Sequence, residues 1–360
     1  MKFIDRIYLY ICCGVMSMQR EITIPGKLLD KKGNLRDVGY SKKMILEYDR
    51  KSIKSSKLRI KEWDYYLVYD ENYAVAFTIA DNGYMGMLSV SLIDFKKPNE
   101  ITKSKMTLFP MGKFNLPNNS IMDNSVYNSK DVAIEFINDG KSRHLKVRYD
   151  NFNDGKQFTA DITLTKEPKE SMVIVTPFKK PKRFYYNQKI VGMVAQGKVV
   201  FGLNEINFES STAKGILDWG RGVWTYKNTW YWGAGCFDVD GHSVGFNIGY
   251  GFGDTSSASE NMVFYDGVAH KLEDVKFEIP LDKKGRELYM EEWKFTSSDK
   301  RFEMTFTPII DRKSFTSALV ISSNQHQVFG RFNGTIVLDN GKKIEVVDKI
   351  GFAEKVVNKW

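Results

Sequence analysis

The residues best able to do chemistry in this chain are crowded into one stretch, "DWGRGVWTYKNTWYWGAG", from Asp218 to Gly235. It carries four of the seven tryptophans together with a carboxylate and a guanidinium. A carboxyl group among indoles loses hydration, which raises its pKa and suits it to donate a proton. Indole faces also stabilise positive charge. Asp218 beside Trp219, Trp224, Tyr226, Trp230 and Trp232 could therefore protonate an alkene and shield the cation that forms. Arg221 would oppose the acid role if it paired with Asp218. The same residues, with Gly220 and Gly222 at tight turns, equally describe a packed core or a clamp between domains, and both readings stand at this point. On an extended strand alternate residues share a face, so Trp230 and Trp232 are expected to point together, as are Trp224 and Tyr226.

A second constellation follows in "NIGYGFGDTSSASEN", Asn247 to Asn261. Gly249, Gly251 and Gly253 alternate and are expected to leave one strand face bare. Asp254, a second candidate acid, leads a polar group with Thr255, Glu260 and Asn261, which either lines a ligand site at a barrel mouth or caps a turn. Asn247 interrupts an apolar run and either orients a ligand oxygen or ties two strands together. Glu62 and Asp64 flank Trp63 and read as charges on a solvent-facing edge.

Other chemistries find little support. His144, His242, His270 and His326 are scattered without metal-ligand spacing, so no metal is expected. No serine sits in a G-x-S-x-G frame, no Cys–His arrangement is visible, and the glycines do not form a dinucleotide fingerprint. No cofactor is expected. Cys12, Cys13 and Cys236 cannot build a disulfide framework, which points to a reducing, cytoplasmic setting.

The elements that must position these residues are strands. "WDYYLVYD", "YAVAFTIAD", "YMGMLSVSLIDF", "FTADITLTK" and "SMVIVTPF" are β-rich runs separated by turn residues such as Asp81-Asn82-Gly83. "VLDNGKKIEVVD" reads as a hairpin turning at Asn340-Gly341. Helical signal is confined to Ser41–Ile60, with Ser41 as N-cap, and to a short closing helix in "GFAEKVVNKW". The density of strands predicts an all-β protein that closes its edges into barrels. The polar break "KKPKR", Lys179 to Arg183, suggests a division into a first β domain, 18–182, and a second, 183–360.

The net charge of +9 is concentrated near the start, where residues 1–62 hold 15 Lys/Arg against 7 Asp/Glu. This is a solvated basic face or a surface for peripheral contact with an anionic membrane. Basic residues are not interleaved with exposed aromatics along the body, so no nucleic-acid partner is expected. Residues 1–17 form a separate extension. Its apolar run is well short of the roughly 20 residues of a membrane span, and a mis-assigned start before Met18 is one reading of it.

Several blocks resemble the signatures of one bacterial family, domain of unknown function 2804. They are "RIKEWDYY", "FYYNQKI", "DWGRGVWTYKNTWYWG", "GFNIGYGFGDTSSASENMVFYDG", "WKFTSSDKRFEMTFTP" and "FGRFNGTIVLDNG", in that order from about residue 20 onward. That family is in turn distantly similar to AttH-like and carotenoid-hydratase proteins. The resemblance implies two tandem lipocalin-like antiparallel β-barrels or half-barrels with few short helices. The wider group binds or transforms isoprenoid and polyketide-like hydrophobes, some members adding water to a double bond or cyclising through a cation.

The functional expectation is a binder of a hydrophobic small molecule, lipid or isoprenoid-like, held in an aromatic-lined barrel cavity. The alternative is a cofactor-independent hydratase, isomerase or cyclase with Asp218 or Asp254 as acid. A third reading is a protein docked on anionic membranes.

Overall fold

A computed structural model describes residues 19–318 and 321–359; the extension at 1–17, with Cys12 and Cys13, lies outside them. Among the described residues there is no α-helix, only two 3-10 turns at Arg50–Ser52 and Lys57–Arg59. Two large antiparallel sheets, of 13 and nine strands, each curl into a half-barrel.

The first sheet runs from the edge strand Asn99–Leu108 through Met85–Asp94, Tyr73–Asp81, Ile60–Tyr69, Lys214–Val223 and Phe184–Phe201. It then continues through Lys156–Thr165, Arg143–Asn153 and Val132–Asn138 to Ser125–Asn128. The second is centred on Lys227–Val239, Lys343–Lys359, Ile321–Val337 and Phe302–Ala318, with His242–Tyr250 beside the first of these. The chain changes sheet between Val223 and Lys227. Lys179–Arg183 is only the turn of a hairpin inside the first sheet, where Phe178 N–H donates to Arg183 O at 3.0 Å. Residues 184–223, assigned by the sequence to the second domain, are central strands of the first sheet.

Three apolar clusters follow. One fills the first half-barrel around Phe77, Phe158, Tyr186 and Trp219. Another fills the second around Phe246, Trp293, Phe302 and Phe332. The third lies between the sheets and draws Tyr65, Leu67, Tyr69 and Tyr185 from one side and Trp232, Phe252, Phe329 and Phe352 from the other.

This layering explains the composition of the opening stretch. Arg143–Asn153 has one covered face and alternates, with Leu145, Val147 and Tyr149 inward and Lys146 exposed. Lys214–Val223 is buried at all ten positions because both of its faces are covered. Gly220 and Gly222 are extended residues of that strand, not turn residues. A Cβ at Gly220 would overlap the Trp63 indole that lies across it from the neighbouring strand. Gly192, at φ +104°, sits at a bulge where the long Phe184–Phe201 strand shifts register.

The hairpin turns are as read. Gly83 N–H donates to Asp81 Oδ1 at 2.9 Å, and Gly341 takes a φ of +81°. Neither helix forms. Within Ser41–Ile60, Gly39–Ser41 pairs with Val173–Val175 and Leu46–Glu47 with Gly26–Lys27. These tertiary ladders override a local apolar spacing that is too short to sustain a helix alone. The C-terminal run becomes a strand between Lys227–Val239 and Ile321–Val337, placing Phe352, Glu354 and Val356 on one buried face.

Cross-links between the halves are polar as well as apolar. Tyr69 Oη accepts from Cys236 N–H at 2.6 Å and donates to Cys236 O at 2.9 Å. Lys214 Nζ lies 2.8 Å from both oxygens of Asp238.

Candidate functional site

Between the two sheets lies a cavity of about 180 Å³. Its walls come from both: Trp63, Tyr65, Asn82, Tyr185, Lys189, Asp218 and Trp224 on one side, Trp230, Trp232, Phe252, Glu260, Arg312, Gln325, Gln327 and Glu354 on the other. The site is therefore built at the junction of the half-barrels; the barrel interiors expected to hold it are filled by side chains.

Five rings form its apolar end. Trp63 stacks on Tyr185 with centroids 6.0 Å apart. Trp224 packs edge-on against Trp63 at 5.2 Å and Phe252 at 4.8 Å, and Trp230 meets Phe252 at 5.3 Å. Such edge-to-face contacts hold the rings in fixed orientations.

The polar wall rests on cross-strand partners. Lys189 stands directly opposite Asp218 in the ladder, with Nζ 2.8 Å from Oδ2. Asn187 Nδ2 donates to the other Asp218 oxygen at 2.6 Å. Lys189 Nζ also lies 3.7 Å from the Trp232 ring centroid, a cation–π contact. Glu354 stands opposite Trp232 and accepts from Trp230 Nε1 at 2.8 Å and Gln327 Nε2 at 2.9 Å. Burial pushes its carboxyl up to about 7, against the Trp230 N–H and the charges of Lys189 and Arg312, which pull it down. Burial raises the Glu260 carboxyl as well. The group suited to hold a proton near neutrality is thus Glu354, while Asp218 is committed to Lys189 and Asn187.

The sequence candidates divide by strand face. Asp218, Trp224, Trp230, Trp232 and Glu260 line the cavity. Trp219 and Arg221 point the other way, into the first half-barrel. There Arg221 stacks on Trp219 at 4.2 Å, pairs with Asp64 at 2.9 Å and donates to Pro117 O at 2.8 Å. An Asp218–Arg221 pair is excluded by alternation, since three residues apart on a strand means opposite faces. Tyr226 lies past the strand end, is exposed and does not line the cavity. Asn247 ties strands: its Oδ1 accepts from Trp232 Nε1 at 2.7 Å and its Nδ2 donates to Glu260 O at 2.9 Å. Asn261 does likewise, accepting from Gly249 N–H at 2.7 Å and donating to Glu273 O at 3.0 Å. Asp254 and Thr255 edge a separate surface hollow, and hydrogen bonds from Ser256 hold Asp254 below the usual carboxylate range. Of the three alternating glycines only Gly249 is within a strand; Gly251 and Gly253 follow it at φ +92° and +82°.

Glu62 and Asp64, read as edge charges, are buried and paired with Arg50 and Arg221. Arg50 also belongs to the basic N-terminal region, so part of that charge is internal. Sequence reasoning missed Lys189, Arg312, Gln327 and Glu354. Alternation was the available signal: Tyr185, Asn187 and Lys189 share a face, and Glu354 stands between Phe352 and Val356 on another.

Among the described residues no cluster of His, Cys, Asp or Glu is arranged to hold a metal ion. No helix among them is long and apolar enough to cross a membrane.

Two solved structures share this fold. Kievitone hydratase from Nectria haematococca superposes with a TM-score of 0.50 at 11% identity, over 83% of this chain and 88% of that one. An AttH protein, so titled as putative, from Nitrosomonas europaea gives 0.52 at 13% identity, over 86% and 96%. At such identities the likeness concerns the fold alone. No curated protein matches the sequence. Residues 19–360 match one family model throughout, and the chain belongs to the family described as Domain of unknown function (DUF2804).

Proposed function

We propose that this protein binds a small, largely apolar molecule in the cavity between its half-barrels. The observation that carries the reading is the ring of Trp63, Tyr185, Trp224, Trp230 and Phe252 lining one end of the cavity. Apolar lining with a few convergent polar groups is the usual make-up of a small-molecule site. A cavity of about 150 Å³ lined by apolar side chains takes up benzene, so this one encloses a ring with a few further atoms. A long lipid or isoprenoid would be held by one end only. The test is native mass spectrometry of protein purified without detergent, followed by organic extraction. A reproducible apolar adduct, displaced in Trp224→Ala, supports binding. A clean mass that takes up nothing from a lipid extract counts against it.

The proton-holding carboxyl of Glu354, set among Trp230, Trp232 and Lys189, favours a second reading. In it the protein is a cofactor-independent hydratase or isomerase, with Glu354 in the acid role first given to Asp218 or Asp254. The carboxyl would donate its proton to an alkene carbon, and the indole faces would stabilise the cation until water or proton loss resolves it. Glu354→Gln should then abolish turnover and leave affinity within a few-fold. Loss of both together would assign Glu354 to binding alone.

A further inference from the structure

The end of the cavity away from the five rings is polar and holds a cation. Arg312 reaches across from the second sheet and donates Nη1 to Ser91 Oγ of the first at 3.0 Å. Among the described residues no carboxylate lies within ion-pair distance of Arg312. A guanidinium has five N–H donors in a planar fork, and the Ser91 bond uses one. Two further groups share this end, both more than nine-tenths buried: the Tyr65 hydroxyl and the Gln327 side chain, which lie close enough to interact with each other and whose Oη and Oε1 have no further hydrogen-bond partner in the protein. Each keeps hydrogen-bonding capacity for a polar atom of something bound.

Charge points the same way. Lys189 and Asp218 neutralise each other at 2.8 Å. Burial raises the carboxyls of Glu354, on the strand Lys343–Lys359, and of Glu260, in the loop before Met262–Tyr265. When Glu354 takes up its proton, a negative charge is lost from the neighbourhood of Arg312, which leaves that cation to an anionic group.

Resting on the binding reading above, we infer that the ligand is an amphiphile carrying a carboxylate. Its carboxylate lies on Arg312, with Tyr65 Oη donating to it, and its apolar body runs toward Trp63, Trp224 and Phe252. A planar fork meets a planar carboxylate through two parallel hydrogen bonds, which an alcohol or a hydrocarbon cannot supply.

The probes are 3-phenylpropanoate and 3-phenylpropan-1-ol, which have the same carbon skeleton and differ at the polar end. Binding is read by tryptophan emission and calorimetry on the full chain. The carboxylate should bind at least tenfold more tightly than the alcohol. Arg312→Gln should reduce that preference to within twofold, and Arg312→Lys, which keeps the charge without the fork, should retain part of it. Lowering the pH from 8 to 6 should strengthen carboxylate binding, as Glu354 takes up its proton. Equal affinity for the two probes in the unmodified protein overturns the carboxylate assignment and leaves the apolar cavity standing. A preference that survives in both Arg312 variants, with near-ultraviolet dichroism unchanged, overturns it too. No response to either probe, together with no adduct in native mass spectra, brings down both readings.

Discussion

Glu354→Gln tests the electrostatics of the cavity without any ligand. The carboxyl is raised from 4.5 to about 7. Each unit is worth about 1.4 kcal/mol, so the shift amounts to about 3 kcal/mol. Below pH 4.5 the group is protonated in folded and unfolded chains alike and contributes nothing. Between 4.5 and 7 the unfolded chain releases the proton while the folded chain keeps it, so stability falls as pH rises. Above 7 the whole penalty of the buried charge is present. Glutamine carries no such charge and still accepts from Trp230 Nε1. Its amide would meet that of Gln327, which can turn to present its Oε1. The variant should therefore match the parent near pH 4.5 and exceed it by about 3 kcal/mol at pH 8, in paired urea titrations. Trp230 emission should show a step near pH 7 in the parent that the variant lacks. A stability gap that does not change with pH, or one that favours the parent at pH 8, would refute the assignment of Glu354 as a carboxyl held neutral by burial.

Other positions yield sharper structural tests. Gly220→Ala forces a methyl into the Trp63 ring and should cost about 1–3 kcal/mol; in a double-mutant cycle with Trp63→Ala the two costs should not add. Arg221→Met strands the buried Asp64 carboxylate and should cost about 3–5 kcal/mol, much of it recovered when Asp64→Asn is added; a loss under about 1 kcal/mol would show the pair to be dispensable. Trp224→Ala should weaken 3-phenylpropan-1-ol binding at least tenfold, whereas Asp254→Asn and Thr255→Val, on the separate surface hollow, should change it less than twofold.

The strands and their turns were legible from local pattern, because alternation and residues such as Asn340-Gly341 are short-range signals. Both helix expectations failed at segments whose partners are remote in sequence. Ser41 and Leu46 are captured by strands at 173–175 and 26–27, and Glu354 by strands at 227–239 and 321–337. The change of sheet is hidden from local pattern for the same reason. The longest polar break in the middle of the chain closes a hairpin, while the change of sheet falls in the short Trp224–Tyr226 link.

By itself the sequence determined that the chain is all-β, that its aromatic weight gathers in Asp218–Gly235, and that Trp230 and Trp232 share a face. It left an Asp218–Arg221 pair open, which the extended strand excludes because side chains three apart lie on opposite faces. Tertiary structure decided which face meets the cavity. Both faces of Lys214–Val223 are buried, so polarity along the strand carries no mark of inside or outside. One face carries Trp219 and Arg221 into a filled half-barrel; the other turns Asp218 toward Lys189. Lys189, Arg312 and Glu354 come together only because two curled sheets pack face to face, and no local spacing encodes that contact.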